Sequence, residues 1–258
     1  KTNPELSKEL FQYIWMFAEK VLGRFENAKD RFFKLKYLQY EWVRITLEQA
    51  RREKWFCSGI IYWMLNDCWP AAAGWSFLDY YNVPKAAFYS FKRCAALVMA
   101  SINYENGVYR VYVSNDSLKD VNVKLTLRSV DVKNNEVTEL YEAHSTAIAN
   151  STQVLAEHRK SYGKSIVVIA DIYHDDKHDR AFYRKGALNL VKKEIEYEIG
   201  ESKIIVRASE YIHAVEIDAC VLLEDNCFSL MPGEERCISY SKLNGKEVGD
   251  IIVTAYGL

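Results

Sequence analysis

The sequence predicts a remnant of an α/β barrel, made of helices and a last barrel strand, followed by an all-β region of two immunoglobulin-like β-sandwich domains. Three observations carry this expectation. Apolar residues recur at helical spacing up to about residue 100 and at period 2 from residue 101 onward. A strand-like apolar run, residues 59–65, lies between two helical stretches and stops at the polar pair Asn66-Asp67. All six Trp fall between Trp15 and Trp75, which sets the first hundred residues apart from the rest. The expected domains are 1–100, 101–190 and 191–258.

In the first of these, Asn3-Pro4-Glu5 reads as a helix start, with Asn3 as N-cap and Pro4 in the first turn. Leu10, Ile14, Phe17 and Val21 keep helical spacing until Gly23 ends the helix. A longer helix is expected over residues 25–55. Its inner stripe is read as Leu35, Leu38, Trp42, Ile45 and Gln49, with Lys34, Glu41, Arg44, Glu48, Arg51 and Arg52 on the solvent face. The run Gly59-Ile60-Ile61-Tyr62-Trp63-Met64-Leu65 has the length and composition of a strand buried on both faces. A helix then follows over residues 83–99, opened by Val83-Pro84-Lys85. Helix, buried strand, loop and helix in series match the closing part of an α/β barrel, with Asn66 and Asp67 on its C-terminal face.

From residue 101 the pattern changes. Tyr109, Val111 and Val113 alternate with polar neighbours, as do Val121, Val123, Leu125 and Leu127. Short strands continue near Leu140 and Val154, through residues 166–172, and near Phe182, which reads as a sandwich. A second module has strand candidates at 204–208, 215–219, 228–230, 237–240 and 251–255. Its turns fall at Gly200, Asp225-Asn226, Pro232-Gly233 and Asn244-Gly245, the last a hairpin signal.

Composition narrows the function. The formal net charge is -1, from 34 basic and 35 acidic residues, which disfavours a nucleic-acid partner. No apolar run reaches the ~18 residues of a membrane span, so no membrane partner is expected. Six cysteines lack CxxC spacing, and His174-Asp175-Asp176-Lys177-His178-Asp179 reads as a hairpin tip rather than a cation loop. No metal or other cofactor is expected. The chain opens at Lys1-Thr2 without Met, and is expected to be part of a longer protein.

Gly59-Ile60-Ile61-Tyr62-Trp63-Met64-Leu65-Asn66-Asp67-Cys68-Trp69-Pro70, with Gly74-Trp75-Ser76, Asp79-Tyr80 and Pro84-Lys85-Ala86 after it, resembles glycoside hydrolase family 2, and within it the β-mannosidases. Gln49, Ala50 and Arg52 also match the helix that approaches this strand. Glu224-Asp225-Asn226-Cys227-Phe228-Ser229-Leu230-Met231-Pro232-Gly233-Glu234 is similar to the C-terminal immunoglobulin-like domain of that family. The middle sandwich carries no motif of its own.

The resemblance implies a retaining hydrolase that cleaves terminal β-mannosidic bonds with two carboxyl groups roughly 5–5.5 Å apart. In the family these are glutamates at the ends of the fourth and seventh barrel strands, which here would lie upstream of Lys1. The chain alone is therefore expected to hold no catalytic residue and to be inactive. Its partners would be a β-mannoside or related β-glycoside and the remainder of the parent chain, and its exposed barrel edges invite self-association.

The candidate substrate-binding residues are Trp63, Asn66, Asp67, Trp69 and Trp75. By resemblance, Trp63 forms the hydrophobic floor of the sugar subsite, because a pyranose C–H face packs on an indole. Asn66 and Asp67 would hydrogen-bond sugar hydroxyls or, alternatively, brace the loop. Trp69 and Trp75 would edge the pocket, or pack under the loop. Asp79 and Lys85 are expected to act structurally, as a turn cap and a helix-start contact. Two alternatives stay open: a β-galactosidase or β-glucuronidase of the same family, and a non-catalytic carbohydrate-binding or interaction module.

Overall fold

The computed structural model describes residues 4–71, 74–243 and 247–258, with side chains from residue 8 onward. The expected N-cap Asn3 and the hairpin signal Asn244-Gly245 lie outside the described residues. Three helices come first: α1 (Pro4–Leu22), α2 (Ala28–Arg52) and α3 (Ala86–Cys94). Fifteen strands follow. Seven form one set: β1 (Val98–Glu105), β2 (Val108–Asn115), β3 (Val121–Asp131), β4 (Glu136–Ala147), β5 (Ser151–Arg159), β6 (Ile166–His174) and β7 (Lys177–Arg184). Eight form another: β8 (Val191–Lys193), β9 (Glu196–Ile199), β10 (Lys203–Arg207), β11 (Ile212–Asp218), β12 (Val221–Leu223), β13 (Phe228–Leu230), β14 (Glu235–Lys242) and β15 (Ile252–Gly257). The chain divides into two compact units: residues 1–42, 64–89 and 186–258, and residues 43–63 and 90–185.

In the first unit, antiparallel sheets β12-β14-β10-β9 and β13-β11-β15-β8 enclose one core. Ile204, Val206, Val215, Ile217, Phe228, Leu230 and Ile238 fill it, each from an alternating position of its strand. Tyr89 of α3 enters the same core, and its hydroxyl oxygen accepts the Leu223 N–H at 3.3 Å. Helix α1 stops at Gly23, whose φ of +87° suits glycine, and a Cβ there would meet the Asn189 backbone at 3.3 Å. The open carbonyls of Val21 and Leu22 accept the N–H groups of Leu188 (2.7 Å) and Leu190 (2.8 Å).

Helix α2 begins at Asn27, whose side chain accepts the Asp30 N–H at 3.0 Å. Its inner face corrects the expected one. Phe33, Tyr37 and Tyr40 are the buried residues, and the Phe33 ring lies flat on Tyr256 of β15 at 3.8 Å. Trp42, on the expected inner stripe, is 69% exposed, whereas Lys34, on the expected solvent face, is buried. Burying an ammonium is costly unless it is paired. Lys34 Nζ meets Asp30 at 3.1 Å and the Arg24 carbonyl at 2.7 Å, so the charge is answered within the helix start. Glu216 of β11, its carboxyl held up by burial, pairs with Lys36.

The second unit is a seven-stranded sandwich, β1-β2-β5 opposite β4-β3-β6-β7. Ile102, Val111, Val113, Val123, Leu125, Leu127, Val168 and Ile172 are among its core residues. Helix α3 ends at Cys94, earlier than expected, because residues 98–105 pair with residues 108–115 as a strand. Leu97, within the span expected to be helical, is exposed as a result. Arg51, near the end of α2, closes α3. Its guanidinium donates to the carbonyls of Cys94 (2.7 Å), Ala96 (2.5 Å) and Leu97 (3.2 Å) and faces Asp116 at 3.1 Å. Arg51 and Arg52 are therefore not a solvated helix end.

The expected hairpin tip is present: β6 and β7 are joined by Asp175-Asp176, with Asp175 at φ 49°. Its flanks are not solvated throughout. Asp171 is buried on β6 against Arg128, His178 (2.6 Å) and Arg180 (2.6 Å). Burial alone would raise its carboxyl, but His178 and Arg180 hold it well below the usual range. Asp179 is partly buried and accepts the Ala100 N–H at 2.7 Å.

Candidate functional site

Residues 58–70, expected to contain the last barrel strand, belong to none of the strands of the described residues. Residues 58–65 have no ladder partner; they lie on the surface, with Ile61 96% and Trp63 76% exposed. A buried strand needs neighbours for its N–H and C=O groups, and among the described residues no sheet includes this stretch. In this chain the expected buried strand is an extended segment with Ile60, Ile61, Trp63 and Leu65 exposed and Tyr62 and Met64 partly covered.

Residues 64–67 are ordered by backbone pairing with residues 77–78. Phe77 N–H donates to Met64 O at 3.2 Å, Leu78 N–H to Leu65 O at 2.8 Å, and Asp67 N–H to Leu78 O at 3.1 Å. This brings Asp67 beside Ser76 and Lys85. Ser76 Oγ lies 2.6 Å from Asp67 Oδ1, and Lys85 Nζ lies 2.7 Å from Asp67 Oδ2 and 2.7 Å from Ser76 Oγ. Asp67 is 5% exposed and Ser76 is fully buried. Burial raises the carboxyl, but the hydrogen bonds from Lys85 and Ser76 outweigh it and leave the pKa lowered. Asp67 is therefore an ionised anchor whose two oxygens are both engaged. Of the two sequence readings, this geometry is the bracing one.

Gly74 sits against the same carboxylate: a Cβ there would lie 2.6 Å from Asp67 Oδ1. Gln39 Nε2 of α2 donates to the Trp75 carbonyl at 2.7 Å, which ties the loop to the helix. Asp79 caps the following turn, accepting the Tyr81 and Val83 N–H groups at 2.8 Å each. Lys85 makes the expected helix-start contact, N–H to Phe77 O at 2.8 Å, and also the side-chain bond to Asp67. A bracing role for Asp67 was one of its two sequence readings, but Lys85 as its partner was not read from the sequence. The Ser76 partnership had no sequence signal.

Around this anchor, Asn66, Trp69 and Trp75 are exposed, and Asn66 Nδ2 donates to the Asp67 carbonyl at 3.2 Å. The braced loop thus offers two indole surfaces and one amide from a fixed backbone. Such groups bind neutral polyols by stacking and hydrogen bonding and perform no proton transfer. Trp63 lies in the other unit and is exposed there. Among the described residues, no group of three or more His, Cys, Asp or Glu is placed to hold a metal ion. No helix among them is long and apolar enough to cross a membrane.

Known proteins place this architecture. Residues 107–183 match the model of the mannosidase Ig/CBM-like domain, in the sandwich where the sequence offered no motif. The chain is 26% identical over 224 residues to β-mannosidase B of Thermothelomyces thermophilus, covering 72% of this chain and 26% of that protein. It is 30% identical over 139 residues to an exo-β-D-glucosaminidase of Arthroderma benhamiae, covering 52% of this chain and 15% of that one. Among solved structures, the β-D-mannosidase of Dictyoglomus thermophilum superposes with a TM-score of 0.80 at 20% identity, over 97% of this chain and 33% of that chain. The Amycolatopsis orientalis exo-chitosanase CsxA follows with a TM-score of 0.66 at 19% identity, over 90% and 34%.

The fold is that seen in these glycosidase structures, and the resemblance to β-mannosidases of glycoside hydrolase family 2 is borne out as a similarity to their C-terminal region. Within that family the likeness is to the β-mannosidases, with the exo-β-glucosaminidases beside them. The chain spans about a quarter of the length of the first of these relatives.

Proposed function

We propose that the chain is the C-terminal part of a retaining exo-glycosidase acting on terminal β-mannosides. In this reading residues 1–100 close the catalytic barrel, and residues 101–190 and 191–258 are immunoglobulin-like scaffold domains. The observation that carries it is the anchored loop: a motif that resembles the family's, fixed through Asp67, Ser76 and Lys85, that presents Trp69, Trp75 and Asn66 outward.

The helices support the barrel assignment. Leu10, Tyr13, Met16 and Phe17 of α1, and Phe32 and Trp42 of α2, leave apolar surface exposed. So do Ile61 and Leu65 around the extended segment. In the proposed parent, the upstream barrel strands cover these side chains, and residues 59–65 pair as the eighth strand with Trp63 at its end. The same surface makes self-association of the isolated chain an expected behaviour. Trp69 and Trp75 then form part of a sugar subsite wall, Asn66 bonds a hydroxyl, Asp67 holds that loop in place, and Trp63 is by itself a further sugar contact. Both catalytic carboxylates come from the upstream part.

The exo-β-D-glucosaminidase relative makes a β-glucosaminide the second substrate to test. The chain as it stands is assayed with aryl β-mannoside and aryl β-glucosaminide, with Asp67→Asn as control. No turnover of either is expected. Hydrolysis that disappears in Asp67→Asn would place a catalytic carboxylate within these residues and overturn the reading.

A further inference from the structure

The braced loop presents two indoles, and its hydrogen bonds fix them unequally. Trp75 is bounded on both sides. Before it, Gly74 packs so closely on Asp67 that a Cβ there would lie 2.6 Å from Oδ1. After it, Ser76 Oγ lies 2.6 Å from the same oxygen and 2.7 Å from Lys85 Nζ. The peptide between Trp75 and Ser76 is held from a different element. Gln39 Nε2, on α2, donates to the Trp75 carbonyl at 2.7 Å and lies 3.5 Å from the Ser76 carbonyl. Tyr37 and Tyr40, on either side of Gln39, are buried with their rings stacked at 5.1 Å, so the turn of helix that carries the amide is itself packed in place. All of these residues belong to one compact unit.

Trp69 has no such support. It is about as exposed as Trp75, yet it makes no hydrogen bond or ring contact with any described residue. The difference bears on stacking. A peptide unit between two fixed Cα atoms can still rock through the ψ before it and the φ after it, because those are the soft dihedrals of the backbone. Asp67, Ser76 and Lys85 hold residues 74 and 76 and leave that motion open to Trp75. The Gln39 bond closes it by fixing the direction of the carbonyl. An indole ordered in advance keeps its full stacking contribution, whereas one ordered on binding gives part of it up as lost rotamer freedom.

We infer that Gln39 is a positioning residue of the sugar subsite: by holding the Trp75 carbonyl it makes Trp75 the fixed platform on which a neutral pyranose stacks, and leaves Trp69 as an adaptable flank. Gln39 touches no sugar and acts through the Trp75 backbone alone. Its primary amide suits the task, because one nitrogen carries two N–H groups and can address two successive carbonyls. The inference rests on the proposed glycosidase reading of the loop and adds to it which indole sets the sugar and what holds that indole.

The whole chain, carrying 15N-labelled Trp, is titrated with β-1,4-mannobiose, and Trp75→Ala and Trp69→Ala assign the two indole signals. In the free protein the Trp75 indole N–H is expected to be ordered on the nanosecond scale and that of Trp69 less so, read as their heteronuclear NOEs. Gln39→Met keeps the length and apolar stem of the side chain and removes both donors. The Trp75 indole should then loosen and the dissociation constant rise about fivefold. Gln39→Lys returns a donor at the same reach and should restore both. Unchanged Trp75 order and affinity in Gln39→Met, with Trp75→Ala still weakening binding, would overturn the inference and leave the subsite reading in place. A loss in Gln39→Met that Gln39→Lys does not restore would mark a packing effect and overturn it too. Equal affinity in Trp75→Ala and wild type, with a loss in Trp69→Ala, would reverse the two roles and overturn it as well. No saturable shift of either indole would overturn the subsite reading itself, and the inference with it.

Discussion

Lys85 Nζ lies 2.7 Å from Asp67 Oδ2, eighteen positions away in sequence, and the two hold the loop between them in place. Ser76 completes the arrangement from within that loop. The recognisable motif and the helix start after it are therefore one mechanical unit.

Removing Lys85 leaves a buried carboxylate with one hydroxyl partner. Lys85→Met is expected to cost about 3 kcal/mol, the low end for breaking a buried pair, because Lys85 keeps some access to water. Urea denaturation measures this. The pH dependence follows from the lowered Asp67 pKa. A carboxyl depressed in the folded state contributes fully above its unfolded value, about 4, and loses that contribution as pH falls through the folded value. The stability gap between wild type and Asp67→Asn is thus largest at neutral pH and shrinks below about pH 4.

Gly74→Ala tests the same unit by volume rather than charge. The added methyl would sit 2.6 Å from Asp67 Oδ1, an atom already fixed by Ser76. A loss of about 1–3 kcal/mol is expected, from overpacking against an atom that cannot move freely. A thermal melt indistinguishable from wild type would show that the loop sits further from Asp67.

Arg51 closes α3 through three carbonyls at once. Lysine cannot reproduce that fork, since it offers a single ammonium centre. Arg51→Lys should lower stability by about 2 kcal/mol. Amide exchange at Cys94, Ala96 and Leu97 should speed up in the variant.

All six cysteines are free thiols, in different surroundings. Cys68 and Cys237 are exposed, whereas Cys94 and Cys227 are buried, and burial pushes the Cys94 thiol well up. An aromatic disulfide reagent should modify Cys68 and Cys237 in the native protein and reach Cys94 and Cys227 only on unfolding. Rapid native modification of Cys94 would contradict the packing of α3.

The sequence showed the helices and most of the strands, because both periodicities were strong. Gly23 marked the α1 end correctly, residues 121–127 alternate as strands do, and residues 166–172 form an almost unbroken apolar strand. It misassigned faces where charge pairs locally. Lys34 is buried because Asp30 and the Arg24 carbonyl meet it, and a hydropathy stripe cannot register such pairing. Residues 59–65 have the composition of a buried strand, but composition does not supply the neighbours that make one. The three-residue strands β8 and β12 and the four-residue β9 are too short for alternation to show. At the site, Asp67 and Lys85 stood out, whereas Ser76 and Gly74 emerged only when folding brought them to the carboxylate.

The most direct measurement is hydrolysis of an aryl β-mannoside by a polypeptide that extends this chain upstream through a complete barrel, compared with its Trp63→Ala variant. Turnover is predicted for the extended protein, with kcat/KM lowered about tenfold to a hundredfold in the variant, the loss of one stacking wall and of the order it imposes. Equal turnover in both would contradict the assignment of this segment to the sugar subsite.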